Sequence, residues 1–448
     1  MNIPMVTFLN NDDVPVRARL LNLTQKTAVF EIYNPCPMIQ INRVLKNIYI
    51  FSETGKIYDG SGFTKELIPT GSTTVCSVRL MDPLLQIEQD LTRHIDFFLN
   101  GFKNILPVRS SFESVVNKIR IFLERLDQVL KRVDSFFDAY TAKRKADLQK
   151  KFIMGPCEPL VRKIEELFNE FTVQASSIPE QEKELHKDFA REVLHPLLLS
   201  IPFLYRAFTK PLGYTGDYEV VDMMLRPYEL EGKNTYSKII NLALLKQPAA
   251  RAHRNRIDIL VDKLKVEAEK ATKVNKILRV MSVGCGPATE IQRFIREHAV
   301  AENCEFFLVD FNQETIEHVQ KKIREAKMYS KRSPDVHFIQ ESVTGLLKDK
   351  TERAYNFIYC TGLFDYLSDN ICKRLTRYFY NWLEPDGILI LSNVHSRNPD
   401  RCLMEFFAEW NLIYRNTKDM TDFAFGLSSS YRLFTDKTKI NLFLEIRS

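Results

Sequence analysis

Two glycines stand in Val283-Gly284-Cys285-Gly286-Pro287-Ala288-Thr289-Glu290, between the apolar run Lys276–Val283 and a helical pattern. Glycines at such a turn let a ligand approach the backbone. A dinucleotide fingerprint needs a third glycine three residues beyond Gly286, where Thr289 stands. A second apolar run ends on Asp310 in Phe307-Leu308-Val309-Asp310-Phe311-Asn312. A carboxylate at that distance from the loop can accept hydrogen bonds from ribose hydroxyls; its plainer use is as a helix cap. Upstream, Pro211-Leu212-Gly213-Tyr214-Thr215-Gly216-Asp217-Tyr218-Glu219 gathers two glycines, two tyrosines and two carboxylates in nine residues. In isolation it reads as a turn and a helix start capped by Asp217. Pro248-Ala249-Ala250-Arg251-Ala252-His253-Arg254-Asn255-Arg256 places Arg251, Arg254 and Asn255 on one helical face, in isolation a solvated one. His395, in Asn393-Val394-His395, is a candidate base or positioner.

The elements that must position these residues fall into three blocks. From 276 to 448, Lys276–Val283, Cys304–Val309, Val336–Ile339, Phe357–Cys360 and Ile388–Leu391 read as strands, with helices between most of them. That alternation predicts an α/β doubly wound sheet with parallel strands, whose ligands bind beyond the carboxyl ends. Roughly 83–275 reads as helical: a long helix begins near Arg109-Ser110-Ser111-Phe112-Glu113, and others cover 157–175, 180–199, 234–246 and 248–271. Pro196, Pro202 and Pro211 interrupt this block. The polar stretch Ala142–Lys151 reads as a solvated helix face. Residues 1–82 alternate like short strands at Val16–Leu20, Ala28–Tyr33, Asn47–Phe51 and Thr74–Leu80. Asn34-Pro35, Glu53-Thr54-Gly55, Asp59-Gly60-Ser61-Gly62 and Pro69-Thr70-Gly71 read as turns, and the block as a small antiparallel barrel.

Composition narrows the function classes. The 448 residues are too many for one ordinary core. A net charge of +6, from 63 basic against 57 acidic residues, is too small an excess to indicate nucleic acid. No apolar stretch is long enough for a membrane helix and the first residues lack a signal-peptide pattern, so a cytoplasmic protein is expected. The cysteines at 36, 76, 157, 285, 304, 360, 372 and 402 form no Cys-x-x-Cys pair, which predicts reduced buried thiols and no metal site.

Taken together, residues 276–448 resemble the class I S-adenosylmethionine-dependent methyltransferases. The first motif of that family is matched by Ser282-Val283-Gly284-Cys285-Gly286-Pro287, with Ser282 where an acidic residue is usual. The resemblance implies a Rossmann-like domain that binds S-adenosyl-L-methionine along Gly284, Cys285 and Gly286. It implies that Asp310 and Phe311 lie at the ribose and that Glu341 or Ser342 lies near the adenine. The fourth motif is matched by Tyr355–Leu367, which adds Cys360, Gly362 and Asp365. Leu383–Leu389 resembles the turn before the fifth strand, and Tyr431–Leu433 with Leu442–Glu445 the terminal antiparallel pair. Over about 200–448, the Tyr214–Glu219 and Pro248–Arg256 segments are similar to bacterial methyltransferases of the 3-hydroxypalmitic acid methyl ester synthase type. That likeness implies methyl transfer to the carboxylate of a fatty acid or another small molecule. Residues 1–82 resemble a PilZ domain, whose binding members recognise cyclic di-GMP. Here Asn22–Thr27 matches the binding pattern only in part, and Arg17 and Arg19 stand too close together for the arginine pair, so nucleotide binding is not expected.

The resulting organisation is a barrel at 1–82, a helical linker or bundle at 83–200, a helical substrate-binding lid at 201–275 and the methyltransferase domain at 276–448. A carboxylate acceptor is already a nucleophile and needs only positioning and exclusion of water. Arg254 or Arg256 would hold it in a two-pronged contact, with Tyr214 and Tyr218 lining the pocket. A hydroxyl or amine acceptor would instead need a base, for which Asp217, Glu219 and His395 are the candidates. The partners expected are a small-molecule or lipid acceptor and a second copy through the barrel or the long helices. The competing readings are a cyclic di-GMP-responsive protein with a methyltransferase output and a protein or nucleic-acid methyltransferase. Thr361-Gly362-Leu363-Phe364 lacks the Asn/Asp-Pro-Pro-aromatic motif that favours the last of these.

Overall fold

The computed structural model describes residues 5–9, 15–24, 26–33, 39–52, 55–69, 73–82, 84, 108–348, 354–427 and 430–448. The expected turns at Asn34-Pro35, Glu53-Thr54 and Thr70-Gly71, and Cys36, lie outside them. The chain divides into two compact units, Met1–Arg109 with Phe208–Thr215, and Ser110–Ala207 with Gly216–Ser448.

The first unit contains a closed barrel of six antiparallel strands: β1 (Met5–Leu9), β2 (Pro15–Leu23), β3 (Thr27–Tyr33), β4 (Val44–Ser52), β5 (Gly55–Pro69) and β6 (Thr73–Leu80). Alternation sends Val16, Ala18, Phe30, Ile48, Ile50 and Val78 inward to a shared core with Phe8 and Tyr58. Asp59-Gly60-Ser61-Gly62, expected as a turn, runs inside β5. The glycines are there for space. A Cβ on Gly60 would collide with the Asp82 side chain, and one on Gly62 with Val78 and Ile48. Arg19 pairs across strands with Glu31 at 3.4 Å, and the Thr24 hydroxyl accepts the Thr27 N–H to close the β2–β3 turn.

The second unit begins with α1 (Ser110–Phe137), α2 (Ala142–Met154), α3 (Glu158–Ser176) and α4 (Lys183–Leu198). Next come α5 (Pro202–Thr209), whose last two residues group with the first unit, α6 (Tyr218–Leu225), α7 (Thr235–Leu245) and α8 (Pro248–Lys273). The seven-stranded sheet is formed by β7 (Leu278–Val283), β8 (Cys304–Asp310), β9 (Asp335–Gln340), β10 (Tyr355–Thr361), β11 (Leu383–Val394), β12 (Tyr431–Thr435) and β13 (Asn441–Arg447). Between them lie α9 (Thr289–Glu297), α10 (Gln313–Ser330), α11 (Val343–Leu346), α12 (Asp369–Asn381), α13 (Arg401–Ala408) and α14 (Thr417–Ala424).

The strand order is β12-β13-β11-β10-β7-β8-β9. Strands β7 to β11 pair in parallel, and β13 joins antiparallel to both β11 and β12. The order reverses between β7 and β10, so the ligand crevice of this sheet opens there. One apolar core, with Val280, Phe306, Phe357 and Ile390, lies under α8–α10; the other, with Met281, Ile358, Leu389 and Leu444, lies under α12 and α14. Leu383–Leu389, expected as a turn before the fifth strand, is already strand, with its register shifted between Tyr355 and Phe357 and Asp386 at φ 64°.

The helices before the sheet share its unit and part of its core. Phe171 of α3 stacks 4.7 Å from Phe407 and 5.5 Å from Phe406, both on α13, and Phe112 of α1 lies 5.4 Å from Phe171. Arg191 of α4 caps the end of α13, donating to the carbonyls of Phe406 at 2.7 Å and Glu405 at 3.1 Å while it pairs with Glu409 at 2.8 Å. Truncating a fully buried phenylalanine costs about 3–5 kcal/mol. Phe171→Ala is therefore expected to lower stability by about that amount. In urea unfolding of this variant, helical and tertiary signals of the unit should still be lost together; separate transitions would show that the helices are an independent bundle.

Candidate active site

The crevice is built where β7 and β10 end. Strand β7 runs into Gly284 (φ 66°) and Gly286 (φ 50°), left-handed conformations that favour glycine. A Cβ on Gly284 would touch Leu363 at 3.3 Å, which puts the first loop against the loop after β10. No atom of the described residues lies within 4 Å of where a Cβ on Gly286 would be, so that glycine leaves an open cradle. Cys285 donates its N–H to the carbonyl of Val309 at 3.0 Å and sends its thiol into the core. Cys360 is likewise core, so both offer the crevice backbone only. Burial pushes both thiols well up.

Asp310 ends β8 and is 7 % exposed. Its carboxylate accepts the Gly286 N–H at 3.2 Å and the Asn312 N–H at 3.0 Å. Burial raises its pKa above the usual aspartate range, against the pull of those backbone bonds. Phe311 beside it is 52 % exposed. After β9, Glu341 bonds through its N–H to the Asp310 carbonyl at 3.0 Å, and the Ser342 hydroxyl caps α11 through the Gly345 N–H. Ser282, where an acidic residue is usual, is buried under the loop on the strand beside Tyr359, whose hydroxyl donates to Glu290 at 2.6 Å. The carboxylate beneath this loop is thus Glu290, eight residues later in sequence. Burial raises its pKa.

The loop after β10 is organised by Arg415, which is 1 % exposed. Its guanidinium donates to the carbonyls of Phe364 at 2.7 Å and Leu367 at 2.6 Å, to Asn393, and to Asp369 at 2.8 Å. Asp365 in the same loop accepts the Val394 N–H at 2.6 Å. Burial raises its pKa to about 7, with Arg256 and Arg415 opposing. Arg256 of α8 is 7 % exposed and has no hydrogen bond within 3.5 Å and no ion pair within 4.0 Å among the described residues. A Cβ on Gly362 would come 2.9 Å from its Nη1. Its charge faces Asp365 and Glu290 from farther off.

The upstream motif roofs this crevice from Gly216 onward. Gly216 (φ 72°) has no room for a side chain: a Cβ would lie 2.6 Å from the Tyr366 hydroxyl and 2.9 Å from Trp410. Trp410 donates its indole N–H to that hydroxyl at 2.8 Å. Asp217 caps α6 through the N–H groups of Glu219 and Val220, and Arg206 pairs with both Asp217 (3.0 Å) and Glu219 (2.6 Å). Tyr218 donates to Glu314 at 2.8 Å and lies over His318. Asp217, Tyr218 and Glu219 are therefore engaged in holding the roof. Tyr214 falls in Phe208–Thr215, which belongs to the first unit.

Three expectations change. Arg254 does not face the crevice; it donates to the carbonyls of Met224 (2.7 Å) and Leu245 (3.0 Å), which leaves Arg256 as the free guanidinium. Asn255, expected on the face of Arg254, instead bonds to Asp436 at 2.7 Å. His395 accepts the Arg397 N–H on Nδ1 at 3.0 Å, so its neutral form carries the proton on Nε2 and is a donor there, not a base. Sequence spacing did not reveal Arg415 or Trp410, because their roles depend on chain crossings about 20 to 50 residues apart, and Tyr366 was visible only as a residue of the fourth-motif segment. Glu290 was visible only as a residue of the glycine-loop segment.

Residues 280–387 match the family described as the methyltransferase domain. No curated protein matches the chain. Among solved structures, a protein from Bordetella parapertussis is 15% identical, with 68% of this chain and 96% of that one covered and a TM-score of 0.43. The magnesium protoporphyrin IX methyltransferase of Synechocystis PCC 6803, solved with bound S-adenosylhomocysteine, is 14% identical over 50% of this chain and 92% of that one, at a TM-score of 0.35. The N-methyltransferase NodS of Bradyrhizobium japonicum is 12% identical over 52% and 97%, at 0.33. The sheet has the fold of a class I methyltransferase domain, and residues 280–387 within it match the methyltransferase domain model.

The open cradle at Gly286 and the buried Asp310 carboxylate fit S-adenosyl-L-methionine, which Gly284 to Gly286 and Asp310 would hold. Asp310→Ala should weaken its binding roughly tenfold or more in calorimetry, and unchanged affinity would remove Asp310 from the site. Asp365 gives a pH test. An unfolded aspartate ionises near 3.9, so between about pH 4 and 7 the folded chain holds a proton that the unfolded chain has lost. The stability from that proton is full below pH 4 and lost as pH rises through 7. Urea midpoints of Asp365→Asn should fall less across this window than those of the wild type.

Proposed function

We propose that the chain transfers a methyl group from S-adenosyl-L-methionine to the carboxylate of a fatty acid or another small molecule. The observation that carries this reading is Arg256: a buried, unpaired guanidinium beside Gly362, at the mouth of the crevice. A guanidinium without a protein partner on a largely buried side chain is available to a ligand carboxylate, which satisfies it in a two-pronged contact.

When bound, S-adenosyl-L-methionine supplies an electrophilic methyl group on a sulfonium centre. The acceptor carboxylate attacks through an oxygen lone pair and no proton need be removed, which agrees with the engagement of Asp217, Glu219 and His395 elsewhere. Arg256 fixes the carboxylate in line, and the roof of Gly216, Tyr218, Tyr366 and Trp410 keeps water out. An Asp365 that ionises near neutrality limits repulsion of the incoming anion. The N-terminal barrel is read as a docking element rather than a nucleotide receptor, since Arg19 is engaged by Glu31.

With a labelled methyl donor, mass spectrometry of small-molecule and lipid extracts should show a labelled ester. Label found only in protein or nucleic acid would overturn the reading. Arg256→Ala should raise the acceptor KM by about a hundredfold, the equivalent of a lost charged pair, with little change in affinity for the donor. If donor affinity falls instead, Arg256 holds the carboxylate of S-adenosyl-L-methionine.

A further inference from the structure

A cavity of about 60 Å³ lies between α8, α13 and the helices before them, lined mainly by Phe203, Leu403, Phe407, Ala408 and Trp410. Its wall is apolar except at Gln247, His253 and Asp400. Gln247 donates to the Ala243 carbonyl, and Asp400 accepts the Ala249 N–H. The Nδ1 atom of His253 is buried and has no hydrogen-bond partner among the described residues. A buried polar atom left unpaired is destabilising, so one on a residue that lines an apolar cavity marks a place where a ligand atom completes the bond.

Trp410 belongs to both the cavity wall and the roof of the crevice. It donates to Tyr366, whose hydroxyl lies beside Gly216 in the roof. His253 and Arg256 are three positions apart on α8, so they are neighbours on one helical face, about 5–6 Å apart at their Cβ atoms. The cavity is small, so the chain it admits is short.

We propose that this cavity receives the apolar end of the methyl acceptor, a short-chain acid with its carboxylate on Arg256 and one uncharged polar atom bonded to His253. The inference rests on the carboxylate reading of Arg256 and adds chain length and a polar substituent to it. A wall of phenylalanine, leucine and tryptophan selects an alkyl group, and the neutral, desolvated histidine selects a hydroxyl or carbonyl over a charge.

The test uses the full chain, with and without S-adenosyl-L-methionine, and the probes hexanoate, octanoate and 5-hydroxyhexanoate. In calorimetry the hydroxy acid should bind several-fold tighter than hexanoate, and His253→Phe should abolish that advantage. Ala408→Leu, which fills the cavity, should weaken both six-carbon acids tenfold or more. Leu403→Ala, which enlarges it, should shift preference toward octanoate, so the two variants move in opposite directions and one suffices if the other fails to fold. Acid binding indifferent to all three substitutions, or absent at millimolar concentration while the donor binds, would overturn the proposal. If the acids bind and respond as expected but the donor does not bind, the cavity stands and the methyltransferase reading fails.

Discussion

The guanidinium of Arg415 is the constraint on which the crevice depends. It is buried at the end of a loop late in the chain, yet most of its bonds go to residues that follow β10 and end β11. A loop after a parallel strand has few ladder bonds of its own, and carbonyls left pointing inward would be costly. Arg415 gathers Phe364, Leu367, Asn393 and Asp369 around one charge, and so fixes where Asp365 and Tyr366 stand. Those two in turn set the environment of Arg256 and the seat of Gly216. A lysine at 415 would supply a point charge without the planar fork needed to reach four partners at once.

The roof illustrates why a short motif can be strongly constrained without holding a reactive group. Gly216 is bare because an aromatic pair occupies the volume of a side chain there. Asp217 must cap, and Tyr218 must reach Glu314 on α10. Three consecutive residues therefore tie the helical region to both margins of the crevice. Their composition suggested chemistry because glycines, tyrosines and carboxylates are also what active sites use.

The sheet domain was legible because its signals are local. Apolar runs end on Gly284 and Asp310, and parallel order follows from alternating strand and helix patterns. Asp59–Gly62 misled because glycine in a strand made room for neighbours and did not turn the chain. Leu383–Leu389 misled because Asp386 at φ 64° bends a strand that continues. The acceptor side was least legible. Arg254 and Arg256 differ by two positions on one helix, and only the packing of α6 and α7 decides that the first meets backbone carbonyls and the second meets the crevice. No sequence spacing encodes that choice.

The aromatic cluster of Phe112, Phe171, Phe406 and Phe407 has a bearing on how the chain is made. During synthesis α1 and α3 emerge first, with their phenylalanine faces uncovered, and the helix that covers them is translated about two hundred residues later. At about 5–20 residues per second that is a wait on the order of ten seconds or more, during which a greasy surface is open to solvent. The helices therefore acquire their full packing only after the sheet domain has largely been made. The period of greatest aggregation risk for this chain falls before its catalytic fold is complete.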